Sequence, residues 1–246
     1  MMEECKKNKV LILIPAYNEE ENIGSLLESM KESQIAGKSD ILVVDDASGD
    51  HTAEIATRYG AKVIRQIYNM GYGAALQLGY KYAVDHEYDF VLQMDADGQH
   101  EVCNLDILYG CLTDRRKDFD IVIGSRFLQG SRSYRVGAVR LLSIRFFRCT
   151  IKWIGHTEIT DPTSGLQGLN RKAFSYYARY GKFDYRYPDM NMILQMLLQG
   201  FRIGECRAHM RPRVAGTSMH AGIWRPMAYM VLMTLSTVAA IIRNKR

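Results

Sequence analysis

Short, near-continuous apolar runs alternate with segments of helical periodicity over residues 1–125. Residues 10–14, 41–44, 61–66, 90–94 and 121–124 each read as a buried strand. Between them, residues 19–33 carry Ile23, Leu26, Leu27 and Met30 on one helical face, and helices are expected over 52–59 and 74–84. Strands that are apolar throughout and separated by helices predict an α/β fold, a mostly parallel sheet with helices on both faces. In such sheets ligands sit beyond the carboxyl ends of the strands. The polar segments PAYNEE, DDASGD and DADGQH each follow a strand, so they are expected to converge on one crevice.

Beyond residue 126 the pattern loosens. A helix is expected over 138–154, a short strand over 165–170, a helix over 190–198 and a strand over 202–206. No repeat, low-complexity tract or linker interrupts the chain, which predicts one domain over 1–220 and an apolar helix over 221–246. On the 138–155 helix Arg145, Arg148 and Lys152 share one arc, with Leu142, Phe146, Trp153 and Ile154 on the other side. That arrangement suits an anionic bilayer surface; the alternative is a core helix with a solvated basic face. The uncharged stretch 227–242 is 16 residues long and spans about 24 Å as a helix, short of the roughly 30 Å hydrocarbon core. An interfacial or partner-binding helix is expected there, rather than a membrane span.

The composition is that of a folded protein: 246 residues, 47% hydrophobic and 24% charged, with 5 prolines, which excludes disordered and collagen-like classes. The formal net charge of +5 conceals a strong asymmetry, −10 over residues 1–125 against +15 over 126–246. An acidic half that handles cations and a basic half that handles anions is the expectation. Five cysteines form no C-x-x-C pair, and the charged start MMEECKKNK does not read as a secretory signal, so unpaired thiols in a reducing cytoplasm are expected. No nucleic-acid motif accompanies the basic half, and no nucleic-acid partner is expected.

The sharpest local chemistry is Asp95-Ala96-Asp97, directly after the strand FVLQM. Carboxylates on alternate residues at a strand end suit a hard divalent cation, Mg²⁺ or Mn²⁺, with Gln99 as a third oxygen ligand. The alternative is a solvated acidic turn. Asp45-Asp46 closes another strand, where Asp46 is placed to accept from a ribose hydroxyl or a base N–H. For Asp50 and Thr52, capping of the following helix is a sufficient account. Asn69-Met70-Gly71-Tyr72-Gly73 precedes a helix, where backbone amides can face a phosphate, or the turn is an ordinary strand–helix connection.

IPAYNEEENI, ILVVDDASGD, NMGYGAAL, FVLQMDADGQH and IVIGSRF, in this order, resemble glycosyltransferase family 2, in particular its polyprenyl- and dolichyl-phosphate mannose or glucose synthases. The resemblance runs from Val10 to Ser218. It implies a GT-A fold and inverting transfer from a nucleotide-diphospho-sugar. Pro15, Tyr17, Glu19 and Asp46 would hold the nucleoside, Gly71 the approach to the donor, and Asp95, Asp97 and Gln99 the cation. Arg126 of GSRF and Arg213 of RVAGTS would neutralise the diphosphate, with Ser218 donating to it. Asp161 falls where the resembling enzymes place an acidic residue near the acceptor, as a general base toward a hydroxyl or as a positioning group toward a phosphate. His100, His209 and His220 are treated as local polar residues.

The expected activity is metal-dependent transfer of a sugar to a polyprenyl phosphate by a cytoplasmic protein peripheral to the inner membrane face. Two alternatives stand beside it: transfer to a hydroxyl of a cell-surface glycan, and a non-catalytic transferase-like binding protein. The apolar tail also suits a homo-oligomer or a small membrane partner.

Overall fold

The computed structural model describes residues 8–132, 138–186 and 188–212. Arg213, Ser218, His220 and the 221–246 segment therefore lie outside the described residues. The elements follow in the order β1 (Val10–Ala16), α1 (Glu20–Ser29), β2 (Asp40–Asp45), α2 (Thr52–Arg58), β3 (Lys62–Arg65), α3 (Tyr72–Asp85), β4 (Phe90–Gln93), α4 (Cys103–Thr113), β5 (Ile121–Ser125), α5 (Ala138–Gly155), β6 (Gln167–Asn170), α6 (Arg171–Ala178), α7 (Met190–Leu198) and β7 (Ile203–Arg207).

These strands form one sheet in the order β3-β2-β1-β4-β6-β5-β7. Every pairing is parallel except those of β6, which runs antiparallel to both β4 and β5. The sheet is thus mostly parallel, as expected, with β6 its antiparallel strand. Side chains alternate across the sheet, which explains why the strands read as unbroken apolar runs. Leu11 and Leu13 face one core with Leu42 and Val44, beneath α3, α5, α6 and α7. Val10, Ile12 and Ile14 face a second core with Val43, beneath α1, α2 and α4.

Two helices were not expected. In α4, Leu105, Leu108 and Leu112 are buried at helical spacing, a signal present in the sequence but obscured by the polar start of the segment. The eight-residue α6 is set by a cap: the Asn170 side chain accepts from the Ala173 amide at 2.9 Å. Conversely, α1 ends at Ser29 and continues as a 3₁₀ turn over Met30–Glu32, where the sequence predicted helix to residue 33. The β6 strand starts at Gln167 rather than 165 because the Gly165 carbonyl accepts from the Gln93 side chain at 2.9 Å, outside the ladder.

The long helix α5 carries a buried apolar face beside the faces read from the sequence. Ile144, Phe147 and Ile151 point into the core, and burial of each contributes about 1.5–3 kcal/mol. Leu142, Phe146 and Trp153 are exposed, Trp153 at 82%. The helix is therefore apolar on two sides, and neither alternative read from the sequence describes it fully.

Candidate active site

The loops after β1 and β2 are laced together. The Asn18 amide donates to Ser48 Oγ at 2.9 Å, and the Gly49 amide returns to Asn18 Oδ1 at 2.9 Å. The last amides of the PAYNEE segment, at the start of α1, find their acceptors across the gap: Glu19 N donates to Thr52 Oγ1 and Glu20 N to Asp50 Oδ2. Asp50 Oδ1 also accepts from the Thr52 amide at the start of α2. One acidic residue thus serves two helix starts, where free N–H groups favour negative charge. The lacing places Pro15, Tyr17 and Glu19 beside the Asp45-Asp46 pair, with Tyr17 half exposed.

Asp45 is buried, accepts from the Ser48 amide and hydroxyl, and pairs with Arg65 at 3.1 Å. Asp46 is also buried, and its carboxylate organises the next turn. Its Oδ1 accepts from the Met70 amide at 2.7 Å and Gln66 Nε2 at 3.0 Å, and its Oδ2 from the Gly71 amide at 2.8 Å. Burial pushes the Asp46 pKa up, the Met70 and Gly71 amides oppose this, and the Asp45 charge adds to it. Gly71 has φ +92°, a conformation that favours glycine, and opens α3 two residues earlier than expected. The amides of Met70 and Gly71 are therefore taken by Asp46, which agrees with the ordinary strand–helix connection and not with the alternative that these amides face a phosphate.

At the end of β4, Asp95 receives a hydrogen bond from Tyr72 Oη at 2.9 Å, and His100 Nε2 lies 3.5 Å from its other oxygen. Burial alone would raise the Asp95 pKa. The His100 contact, the Tyr72 hydroxyl and the Arg126 charge outweigh it and hold the carboxyl below the usual range. Asp95 therefore stays ionised. Asp97 accepts from the Gln99 amide at 3.1 Å, and the Gln99 carbonyl accepts from Arg211 N at 2.7 Å. The loop is closed behind by a bridge between His100 and Met210.

A Cβ at Gly165 would lie 2.4 Å from Asp95 Oδ2, so the DPTSG segment meets the β4 end at a distance that glycine alone permits. Upstream in that segment, Asp161 is fully buried. Its Oδ2 accepts from Arg126 Nε at 2.6 Å and from the Arg126 amide at 3.1 Å, and its Oδ1 from Arg126 Nη2 at 2.7 Å. Glu205 of β7 takes the Thr160 and Asp161 amides from below. Arg126 sits beside the strand ends as expected, but its guanidinium grips Asp161 in a bidentate pair.

The carboxylates of Asp95 and Asp97 and the amide oxygen of Gln99 form an all-oxygen set at one strand end. Among the described residues no group of three or more His, Cys, Asp or Glu side chains is arranged to hold a metal. This set fits a cation that takes few protein carboxylates and completes its shell with water and phosphate oxygens, as Mg²⁺ does.

Sequence reasoning did not find Tyr72, Gln93, His100 or Asp189. His100, treated as a local polar residue, is buried against Asp95. His209 does have a local role: its backbone exchanges hydrogen bonds with the Asn104 side chain. Asp189, just before α7, is near enough for its charge to act on the Tyr72 phenol. Local pattern hides such residues; Tyr72, for one, reads as one more apolar residue at a helix start.

A mostly parallel mixed sheet with its acidic strand ends gathered on one edge is an arrangement of GT-A type, and comparison with known proteins agrees. The family model for glycosyl transferase family 2 matches residues 11–177. The chain belongs to that family of glycosyltransferases. It is 34% identical over 172 residues to the undecaprenyl-phosphate mannosyltransferase of Micrococcus luteus, covering 65% of this chain and 65% of that protein. It is 31% identical over 182 residues to the dolichol-phosphate mannosyltransferase of Pyrococcus furiosus, covering 67% and 47% respectively. The match thus spans about half to two thirds of the length of these curated relatives. Glucosyl-3-phosphoglycerate synthase of Mycobacterium tuberculosis, solved with Mn²⁺, UDP-glucose and phosphoglyceric acid, superposes with a TM-score of 0.65 at 18% identity, covering 96% of this chain and 79% of that one.

Proposed function

We propose that the protein transfers a sugar, with inversion, from a nucleotide-diphospho-sugar to a polyprenyl phosphate at the inner membrane face. The observation that carries the choice of acceptor is the Arg126–Asp161 pair. A hydroxyl acceptor needs a general base, and both oxygens of Asp161 are buried on the Arg126 guanidinium. A phosphate monoester needs none, since its second pKa is about 6. In this reading Asp161 positions Arg126, and Arg126 contributes positive charge beside the reacting groups. The relatives named above support the same acceptor class.

Pro15, Tyr17, Glu19 and Asp46 would hold the nucleoside, with Gly71 giving the α3 turn its close approach. Asp95, Asp97 and Gln99 would hold Mg²⁺ or Mn²⁺. When bound, the cation would neutralise charge developing on the leaving diphosphate. Arg213 and Ser218, outside the described residues, would contribute to the same anion. An acceptor oxygen then displaces the nucleoside diphosphate in line from the anomeric carbon.

The exposed stripe Leu142, Phe146, Cys149 and Trp153 on α5, flanked by Arg145 and Lys152, supports action at an anionic bilayer surface. No described helix is long and apolar enough to cross a membrane.

The hydroxyl-acceptor alternative would need a different carboxylate, and Asp189, whose charge reaches the Tyr72 phenol beside Asp95, is the candidate. The test is transfer of radiolabel from UDP-, GDP- and dTDP-sugars to a short prenyl phosphate in detergent with Mg²⁺ or Mn²⁺. A solvent-extractable labelled lipid is the expected result. Label passing to glycan hydroxyls and not to prenyl phosphate would refute the proposed acceptor, and no transfer or hydrolysis would point to a binding protein.

A further inference from the structure

Gln93 is the last residue of β4, and it is 2% exposed in a run of apolar neighbours. A buried amide is costly unless its donors and acceptor are paired. Here all three are used. Its Oε1 accepts from Tyr80 Oη at 2.5 Å, and its Nε2 donates to Tyr72 Oη at 3.1 Å and to the Gly165 carbonyl at 2.9 Å. The Gly165 carbonyl can only accept, which fixes the amide's orientation. The Tyr72 oxygen accepts a hydrogen bond from Gln93, so its own hydroxyl donates to Asp95 Oδ1 at 2.9 Å. The chain of donors therefore runs one way, from Tyr80 through Gln93 and Tyr72 to Asp95.

Both ends of this chain are anchored. Tyr80 is fixed in an aromatic cluster, its ring centroid 5.4 Å from Tyr177 and 5.5 Å from Phe183. At the other end, Gly165 lies so close to Asp95 that a Cβ would overlap the carboxylate. One side chain thus reaches the carboxylate through Tyr72 and the DPTSG segment directly. An apolar residue would fill the same core position without the desolvation cost, so packing does not account for an amide there.

We propose that Gln93 is a positioning residue that registers the Asp95 carboxylate against the 161–165 segment, joining the cation-holding and acceptor sides of the site. The inference rests on the reading that Asp95 holds a divalent cation. Gln93→Met keeps length and removes every hydrogen bond, while Tyr72→Phe removes the donor to Asp95 and leaves the Gln93–Gly165 bond in place.

The test is Mn²⁺ binding followed by the paramagnetic resonance of the free ion, in the presence of nucleoside diphosphate, beside KM and kcat with prenyl phosphate. Removal of an outer hydrogen-bond partner of a metal ligand typically lowers metal affinity about 10–100-fold. A loss in that range is expected for both variants, with nucleoside binding in the absence of metal unchanged. KM for the acceptor should rise in Gln93→Met and stay near wild type in Tyr72→Phe. Wild-type Mn²⁺ affinity in both variants, with only melting temperature lowered, would overturn the proposal and leave Gln93 a structural residue. If Gln93→Met does not fold, Tyr72→Phe with unaltered Mn²⁺ affinity overturns it alone. Failure of the wild type itself to bind Mn²⁺ would overturn the cation reading, a distinguishable result.

Discussion

Substitution of Arg126 by methionine tests the central pair of the site. The Arg126 and Asp161 side chains are 2% and 0% exposed, and three hydrogen bonds of 2.6, 2.7 and 3.1 Å join the two residues. Arg126→Met leaves the Asp161 carboxylate with the residue-126 amide and the Thr163 hydroxyl at 3.4 Å. Breaking a buried pair from one side costs about 3–5 kcal/mol, because an uncompensated charge remains buried. For a chain of this size 1 kcal/mol corresponds to about 2–4 °C, so a fall in Tm of about 6–20 °C is expected. The double variant Arg126→Met/Asp161→Leu removes both charges and should melt well above either single variant. The assay is thermal unfolding of the three variants, with transfer activity measured on each. A Tm for Arg126→Met within about 3 °C of wild type, or losses that simply add in the double variant, would refute the reasoning. Loss of kcat in Asp161→Asn at unchanged Tm would instead favour a catalytic base.

Gly165→Ala places a methyl 2.4 Å from Asp95 Oδ2, so Mn²⁺ affinity should fall while overpacking lowers stability by about 1–3 kcal/mol; a Mn²⁺ titration that matches wild type would count against the close approach. Asp46→Asn turns a donor toward the Met70 or Gly71 amide and breaks a part-buried hydrogen bond to a charged group, at a cost of about 1 kcal/mol. Nucleotide affinity, read by calorimetry, should weaken with it. The Cys111 thiol is held below the ordinary cysteine range by the neighbouring Cys206 thiol and, against burial, by Lys117 at 3.7 Å, with Asp114 opposing. The reactive thiolate fraction should therefore rise at lower pH than for an ordinary cysteine, and alkylation of Cys111 across a pH series, followed by mass spectrometry, should show that early rise. Lys117→Met should move it upward, and an ordinary cysteine midpoint in the wild type would contradict the contact.

Local order along the chain determined the strands and the acidic residues at their ends. The runs at β1, β2, β4 and β5 are too apolar to sit anywhere but between two layers of helices, and side-chain alternation then sends Leu11 and Ile12 to different cores. The motifs that end those strands, PAYNEE, DDASGD and DADGQH, were legible for the same reason: a strand's direction delivers whatever follows it to one edge of the sheet. Partnership was not legible. Asp161 and Arg126 come together because β6 inserts antiparallel between β4 and β5, a topology that no periodicity announces. Tyr72 and Gln93 were hidden because an aromatic at a helix start and an amide at a strand end look like packing until their hydrogen bonds are drawn. The Asp46 carboxylate was visible as charge at a strand end, whereas the Met70 and Gly71 amides it also accepts from belong to another loop. Sequence determines which groups reach the edge of the sheet through local, one-dimensional periodicity; hydrogen bonding between loops distant in the chain depends on how that periodicity is folded in three dimensions, and tertiary structure alone decided it.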